Sequence, residues 1–82
     1  MTPISLCDLA VGATARFHEA RLDVEACHLL RSLGLTKSSL VRLCKAGEPC
    51  IVQVRATRIG LSRAVAGSIF VIPEKHEPVA AC

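Results

Sequence analysis

Apolar and polar residues alternate through Ala13, Ala15 and Phe17 against Thr14, Arg16 and His18, as in a strand with one face on a core and one in water. This period predicts a strand over 13–19, with the first set inward and Gly12 permitting a sharp entry. Just upstream, Ser5 stands three residues before Asp8, a short capping arrangement that predicts a single helical turn over Ser5-Leu6-Cys7-Asp8-Leu9. From Asp23 to Leu33 the spacing lengthens to that of a helix. Ala26, Leu29, Leu30 and Leu33 share one stripe, Asp23 and Glu25 suit the positive end of the dipole, and Gly34 ends the helix. If that stripe packs on the sheet, Leu33→Ala should cost about 2–5 kcal/mol.

Period two then returns. Ser39 to Lys45 predicts a second strand with Val41 and Leu43 on the core face, and Gly47-Glu48-Pro49 turns the chain. Cys50 to Ala56 comes back with Val52, Val54 and Ala56 on one face and Ile51, Gln53 and Arg55 on the other. Ile59 and Leu61 form a short fourth strand, Arg63 to Gly67 a helical turn, and Ile69 and Val71 point inward from a closing strand. Ile51, Phe70 and Ile72 fall on the face opposite the interior, where either the helix or a partner would cover them. The fold expected is mainly β, a small SH3-like barrel of about five strands with one inserted α-helix, because closure removes edges that so short a chain cannot cover. One domain is expected over 1–82, with a folded core at about 4–73 and a C-terminal tail at 74–82.

Composition narrows the function classes. Apolar residues make up 51% of the 82 residues, yet the longest uninterrupted apolar runs, Ile69 to Ile72 and Val79 to Cys82, are far short of the roughly 18–20 that span a bilayer, so no membrane insertion is expected. The absence of Trp and Tyr removes the usual stacking platforms for single-stranded nucleic acid. A net charge of +3 and a pI near 8.8 are weaker than the usual basic footprint. The N-terminus has neither a basic region nor an apolar core of the secretory kind, so a cytoplasmic location is expected. Five cysteines, Cys7, Cys27, Cys44, Cys50 and Cys82, have no C-x-x-C spacing and are expected to be reduced there. Cys44 and Cys50 are symmetric about Gly47, which in a regular hairpin makes them cross-strand neighbours; packing thiols are favoured over a bridge.

Arg42, Arg55, Arg58 and Arg63, with Lys45, form the chain's basic cluster, suited to an acidic protein partner or to phosphate contacts. Metal ligation is a second candidate chemistry. Glu25 and His28 are three apart on the helix, Asp23 and Cys27 four apart, and His18 closes the first long strand. His18, Glu25, Cys27 and His28 are an incomplete ligand set, which predicts weak binding of zinc or ferrous iron at the surface, better in a homodimer whose second chain supplies the missing donors. No cofactor is required by this pattern. Without a Gly-rich phosphate loop, a Gly-x-Ser-x-Gly elbow or a carboxylate pair placed with a nucleophile, no enzyme is expected.

The order of the segments adds a resemblance. Leu6-Cys7-Asp8-Leu9 followed by Gly12, Leu29 to Leu35, Ser38 to Leu43, and Arg58 to Ala66 with its closing strand together resemble the FeoA family over about residues 4–73. The resemblance implies a non-catalytic cytoplasmic accessory protein of ferrous iron uptake that contacts FeoB, the membrane transporter carrying a G-protein domain. Two positions depart from the family's pattern: Ser38 stands where many members have Gly, and Cys27-His28 where a basic pair is more typical. Similar barrels close iron-dependent repressors; with no helix-turn-helix pattern in these 82 residues, a stand-alone repressor is not expected. The alternatives kept open are a metal-binding module and, less favoured, a nucleic-acid-binding domain.

Overall fold

The computed structural model describes residues 2–74. Six strands form one antiparallel sheet: β1 (Ile4–Ser5), β2 (Thr14–Ala20), β3 (Leu40–Lys45), β4 (Cys50–Val54), β5 (Thr57–Leu61) and β6 (Ile69–Pro73). Their order across the sheet is β1-β6-β2-β3-β4-β5. The expected mainly β, SH3-like architecture is therefore present with one more strand than the period-two count. β1 has only two residues, too few for alternation to register, and exists because Ile4 and Ser5 pair with Val71 and Phe70.

Alternation decides which side of the sheet is inside. Ala15, Val41, Leu43, Val52, Val54, Ile59, Leu61, Ile69 and Val71 are all buried, every one at an inward position of its strand. With two aromatic residues in the chain, the interior is filled by β-branched and Leu side chains, which stack well on a curved, pleated surface. Two register shifts, between Phe17 and Glu19 on β2 and between Leu43 and Lys45 on β3, bend the strands where the sheet must curl.

β1 and β5 are the two edges, and short helical turns lie at the seam between them. A 3-10 turn (Leu6–Asp8) follows β1, capped by the Ser5 hydroxyl, which accepts from the Cys7 N–H at 3.2 Å. Helix α2 (Arg63–Gly67) follows β5, capped by Ser62 accepting from the Val65 N–H. Ser5 Oγ donates to the Gly67 carbonyl at 3.2 Å, and Leu6 and Ala66 are completely buried behind this contact. The seam is thus filled by one Leu and one Ala where a hydrogen-bonded ladder would have needed longer edge strands.

Helix α1 (Val24–Ser32) begins at Asp23, whose carboxylate accepts from the Ala26 N–H at 2.8 Å. It ends in a Schellman motif: the Leu35 N–H reaches the Leu30 carbonyl at 2.9 Å and the Gly34 N–H that of Arg31 at 3.0 Å. Gly34 has φ +104, and a Cβ there would stand 3.4 Å from Val54 Cγ1. The motif turns Leu30 and Leu35 together into the core.

This corrects the sequence reading of the helix. Leu33 is the C-cap residue and 37% exposed, and Leu29 is 60% exposed; the buried positions are Leu30 and, beyond the helix, Leu35. Ala56, expected inward, is exposed because the strand ends at Val54 and Arg55-Ala56 make the hairpin turn. Glu74 belongs to the sheet's end, its N–H bonded to the Thr14 carbonyl; the rest of the predicted tail, 75–82, lies outside the described residues. In urea denaturation Leu30→Ala should lose about 2–5 kcal/mol and Leu33→Ala under about 1 kcal/mol. The reverse ranking would mean that the helix packs by its other flank.

Candidate functional site

The outward positions opposite the core place one cross-strand row in register. Thr14 pairs with Arg42, Arg42 with Gln53, and Gln53 with Arg58, so Arg42 and Arg58 flank Gln53 on the solvent face of β3, β4 and β5. Arg55 sits at the turn beside them with φ +60, its carbonyl accepting from Gln53 Nε2 at 2.9 Å. Among the described residues the ion pairs are Arg16 with Glu74 and Arg21 with Glu19; Arg42, Arg55 and Arg58 belong to neither. A shallow cleft of about 420 Å³ beside this row is lined by Thr14, Ser39, Leu40, Arg42, Gln53, Val54 and Arg55. Leu40 is 46% exposed there. Guanidinium groups without an ion-pair partner among the described residues, next to an apolar side chain, are the composition of a protein-contact surface, where Arg is enriched and can stack as well as pair.

Arg63 is not part of that face. It lies on α2, past the Leu61 end of β5, with its N–H bonded to Glu48 Oε1 at 2.7 Å. Arg55 is at the other end of β4, so a five-residue strand of roughly 3.3 Å per residue separates the two ends. Nor do Ile51, Phe70 and Ile72 form one patch. β2 and β3 intervene between β6 and β4. Phe70 is half-buried beneath the Arg21 guanidinium, 4.9 Å from the ring centre, a cation–π contact. Ile72 lines a separate cleft with Arg16, His18, Lys37 and Glu74. The expectation that the helix lies over these residues gives way to an Arg21 cover over Phe70 and to half-exposure of Ile51 and Ile72.

Of the four predicted metal donors, His18 and Cys27 line one cleft and Glu25 and His28 do not. Cys27 turns toward β2, its Sγ 3.6 Å from the Leu22 carbonyl and 3.8 Å from that of Ala20, and shares a cleft of about 250 Å³ with His18 and Glu19. Glu25 and His28 are exposed and do not line it. Among the described residues no three His, Cys, Asp or Glu side chains are gathered closely enough to hold one ion.

Cys44 and Cys50 are not cross-strand neighbours. The ladder pairs Leu43 with Val52, then Lys45 with Ile51, and the register differs by one residue from a hairpin symmetric about Gly47. Such a slip exchanges faces. Cys50 is buried, whereas Cys44 Sγ lies 4.0 Å from Gln53 Oε1 on the outer side. Both are free thiols, as are Cys7 and Cys27.

The family model for the FeoA domain matches residues 4–73. The chain belongs to the FeoA family. FeoA from Stenotrophomonas maltophilia, complexed with zinc and described as a procaryotic SH3 domain protein, is 29% identical with a TM-score of 0.75 over 90% of this chain and 99% of that one. FeoA from Chlorobium tepidum is 19% identical with a TM-score of 0.84, over 90% of this chain and 73% of that one. The same fold occurs in IdeR of T. acidophilum, at 19% identity and a TM-score of 0.80, where it matches 35% of the longer chain. A comparison with proteins of curated function returns no match. Ser38 stands at φ +71, a conformation that a glycine reaches without steric penalty.

Proposed function

We propose that this FeoA-family accessory protein of iron transport acts without catalysis, in the cytoplasm, by docking the outer face of β3 to β5 on the cytoplasmic G-protein region of a FeoB-type ferrous iron transporter. The observation that carries this reading is the row of Arg42, Gln53 and Arg58, whose two cations no described carboxylate neutralises. Arg42 Nε reaches only the Gly12 carbonyl, at 3.5 Å, so both guanidinium groups keep donors for an acidic partner, which would gain charge-assisted, forked hydrogen bonds beside the exposed Leu40. No helix among the described residues is long and apolar enough to cross a membrane. Arg63, on α2 past the other end of β4, is left out of this docking surface.

Metal binding is the second reading, favoured by the cleft that His18 shares with Cys27 and by the zinc complex of the Stenotrophomonas relative. One chain supplies too few donors, so zinc is taken weakly by a monomer and better by two copies, with Glu25 and His28 contributed from an exposed helix face. Equilibrium dialysis with sedimentation checks it: zinc should promote dimers, and His28→Ala should reduce both uptake and dimerisation. Stoichiometric zinc on a monomer would remove the shared site.

For the principal reading, Arg42→Glu with Arg58→Glu should reduce co-purification with the transporter's cytoplasmic region at least tenfold while the circular dichroism spectrum is kept, since reversing two interfacial charges costs more than about 1.4 kcal/mol. Arg63→Glu should bind as the parent does. Loss of binding with Arg63→Glu alone would move the interface to the other end of β4.

A further inference from the structure

The chain's sulfur atoms are distributed unequally. Cys27 rests on backbone carbonyls beside β2 and Cys44 lies on the outer face, but Cys7 and Cys50 line one cleft. That cleft, of about 320 Å³, is bounded by Leu6, Cys7, Leu43, Ala46, Gly47, Cys50 and Arg63. It lies at the seam, where the 3-10 turn and α2 stand between the sheet's two edges. Cys50 pairs with Leu61 at the end of β5; two residues on, the Arg63 carbonyl is 3.7 Å from Cys7 Sγ. On α2's last turn, a Cβ built on Gly67 would stand 3.8 Å from the same sulfur. The chain thus brings residues 43 apart in sequence to the lining of one opening.

The two thiols differ in access. Cys7 is exposed, whereas Cys50 is 2% exposed on the cleft's floor. Burial, and after it the charge of Cys7, pushes the Cys50 thiol up from its usual range; the second cause is itself a sign that the sulfurs are near enough to influence one another. Among the described residues the Cys7 side chain is held by a weak S–H contact to the Arg63 carbonyl at 3.7 Å, so turning inward gives up that one contact.

We propose that Cys7 and Cys50 form a peroxide-sensitive thiol pair, in which Cys7 takes the oxidation and Cys50 resolves it into a disulfide across the seam. The Cys7 thiolate attacks one oxygen of hydrogen peroxide, the O–O bond breaks, and hydroxide leaves to become water, giving a sulfenic acid. The Cys50 sulfur, losing its proton, then attacks Cys7 Sγ; the S–S bond forms, the S–O bond breaks and a second water departs. Two thiols lose two electrons and one peroxide gains them. Arg63, lining the same cleft, offers a cation to the anions that form on the way. The product ties the turn after β1 to the start of β4, fixing the seam covalently where the reduced protein fixes it by packing. A dithiol returns it to the starting state.

The test is a peptide map of the full chain, reduced, exposed to a small excess of hydrogen peroxide, blocked with an alkylating agent and digested with trypsin. Arg16, Lys45 and Arg55 place Cys7 in peptide 1–16, Cys50 in peptide 46–55 and Cys44 in a third. The expected product is peptide 1–16 joined to peptide 46–55, lighter by two hydrogens and separated again by dithiothreitol. Cys44→Ser should leave it unchanged. In Cys50→Ala, dimedone should trap the sulfenic acid on Cys7, with circular dichroism confirming the fold. Should the wild-type protein give Cys7 bonded to any other cysteine, or keep Cys7 and Cys50 alkylated in full after peroxide, the proposal is overturned, and neither result depends on a variant folding.

Discussion

The inward alternation of small aliphatic side chains is the constraint on which the rest of this structure depends. Val41, Leu43, Val52, Val54 and Val71 are essentially inaccessible to water, and with so few aromatic residues no single side chain could fill the interior in their place. A core of that kind must be thin and curved, because β-branched residues reach only a short way from the sheet that carries them. The sheet therefore curls on itself, and its two register shifts supply the bends. Once the inward set is fixed, period two leaves no freedom for the outward set. Arg42, Gln53 and Arg58 come into one row because Val41, Val52, Val54 and Ile59 had to face the other way. The candidate partner surface is in this sense the reverse side of the core.

The seam shows how so short a chain finishes the fold. Neither edge strand pairs with the other across it, and the gap is filled by the 3-10 turn and α2, with Leu6 and Ala66 buried between them and Ser5 bonding to Gly67. Filling by turns leaves a cleft that a ladder would have closed. The two cysteines found there, the hairpin Glu48 and Arg63 all owe their proximity to that choice.

Much of this was legible in the sequence. Local period gives β2 to β6, the Ser5 cap, the acidic start of the helix at Asp23 and its stop at Gly34, since each is decided by neighbours within a few residues. The errors arose where a choice of one residue or one direction depended on distant contacts. Leu33 and Leu30 share the helical stripe, and only the Schellman turn, which swings Leu35 inward beside Leu30, decides that Leu30 is the buried one. Symmetry about Gly47 makes Cys44 and Cys50 neighbours, but the ladder that pairs Leu43 with Val52 is one residue out of that symmetry and leaves Cys44 on the outer face and Cys50 on the inner. Arg63 follows Arg58 closely in sequence, but an extended strand carries it to the far end of the sheet. Ile51, Phe70 and Ile72 were read as one set because strand order across a sheet is not written in local pattern.

Central to the account is the proposal that the outer face of β3 to β5 docks on an acidic partner. Amide chemical shifts of the isotopically labelled protein, followed by NMR as the transporter's cytoplasmic G-protein region is added, report on each position of that face separately. Changes should concentrate at Leu40, Arg42, Gln53, Arg55 and Arg58 and should fade as salt is raised from roughly 0.05 to 0.5 M, because solvated charge contacts are screened over a Debye length. Changes centred instead on Cys7, Glu48 and Arg63 at the seam, or binding indifferent to salt, would contradict it.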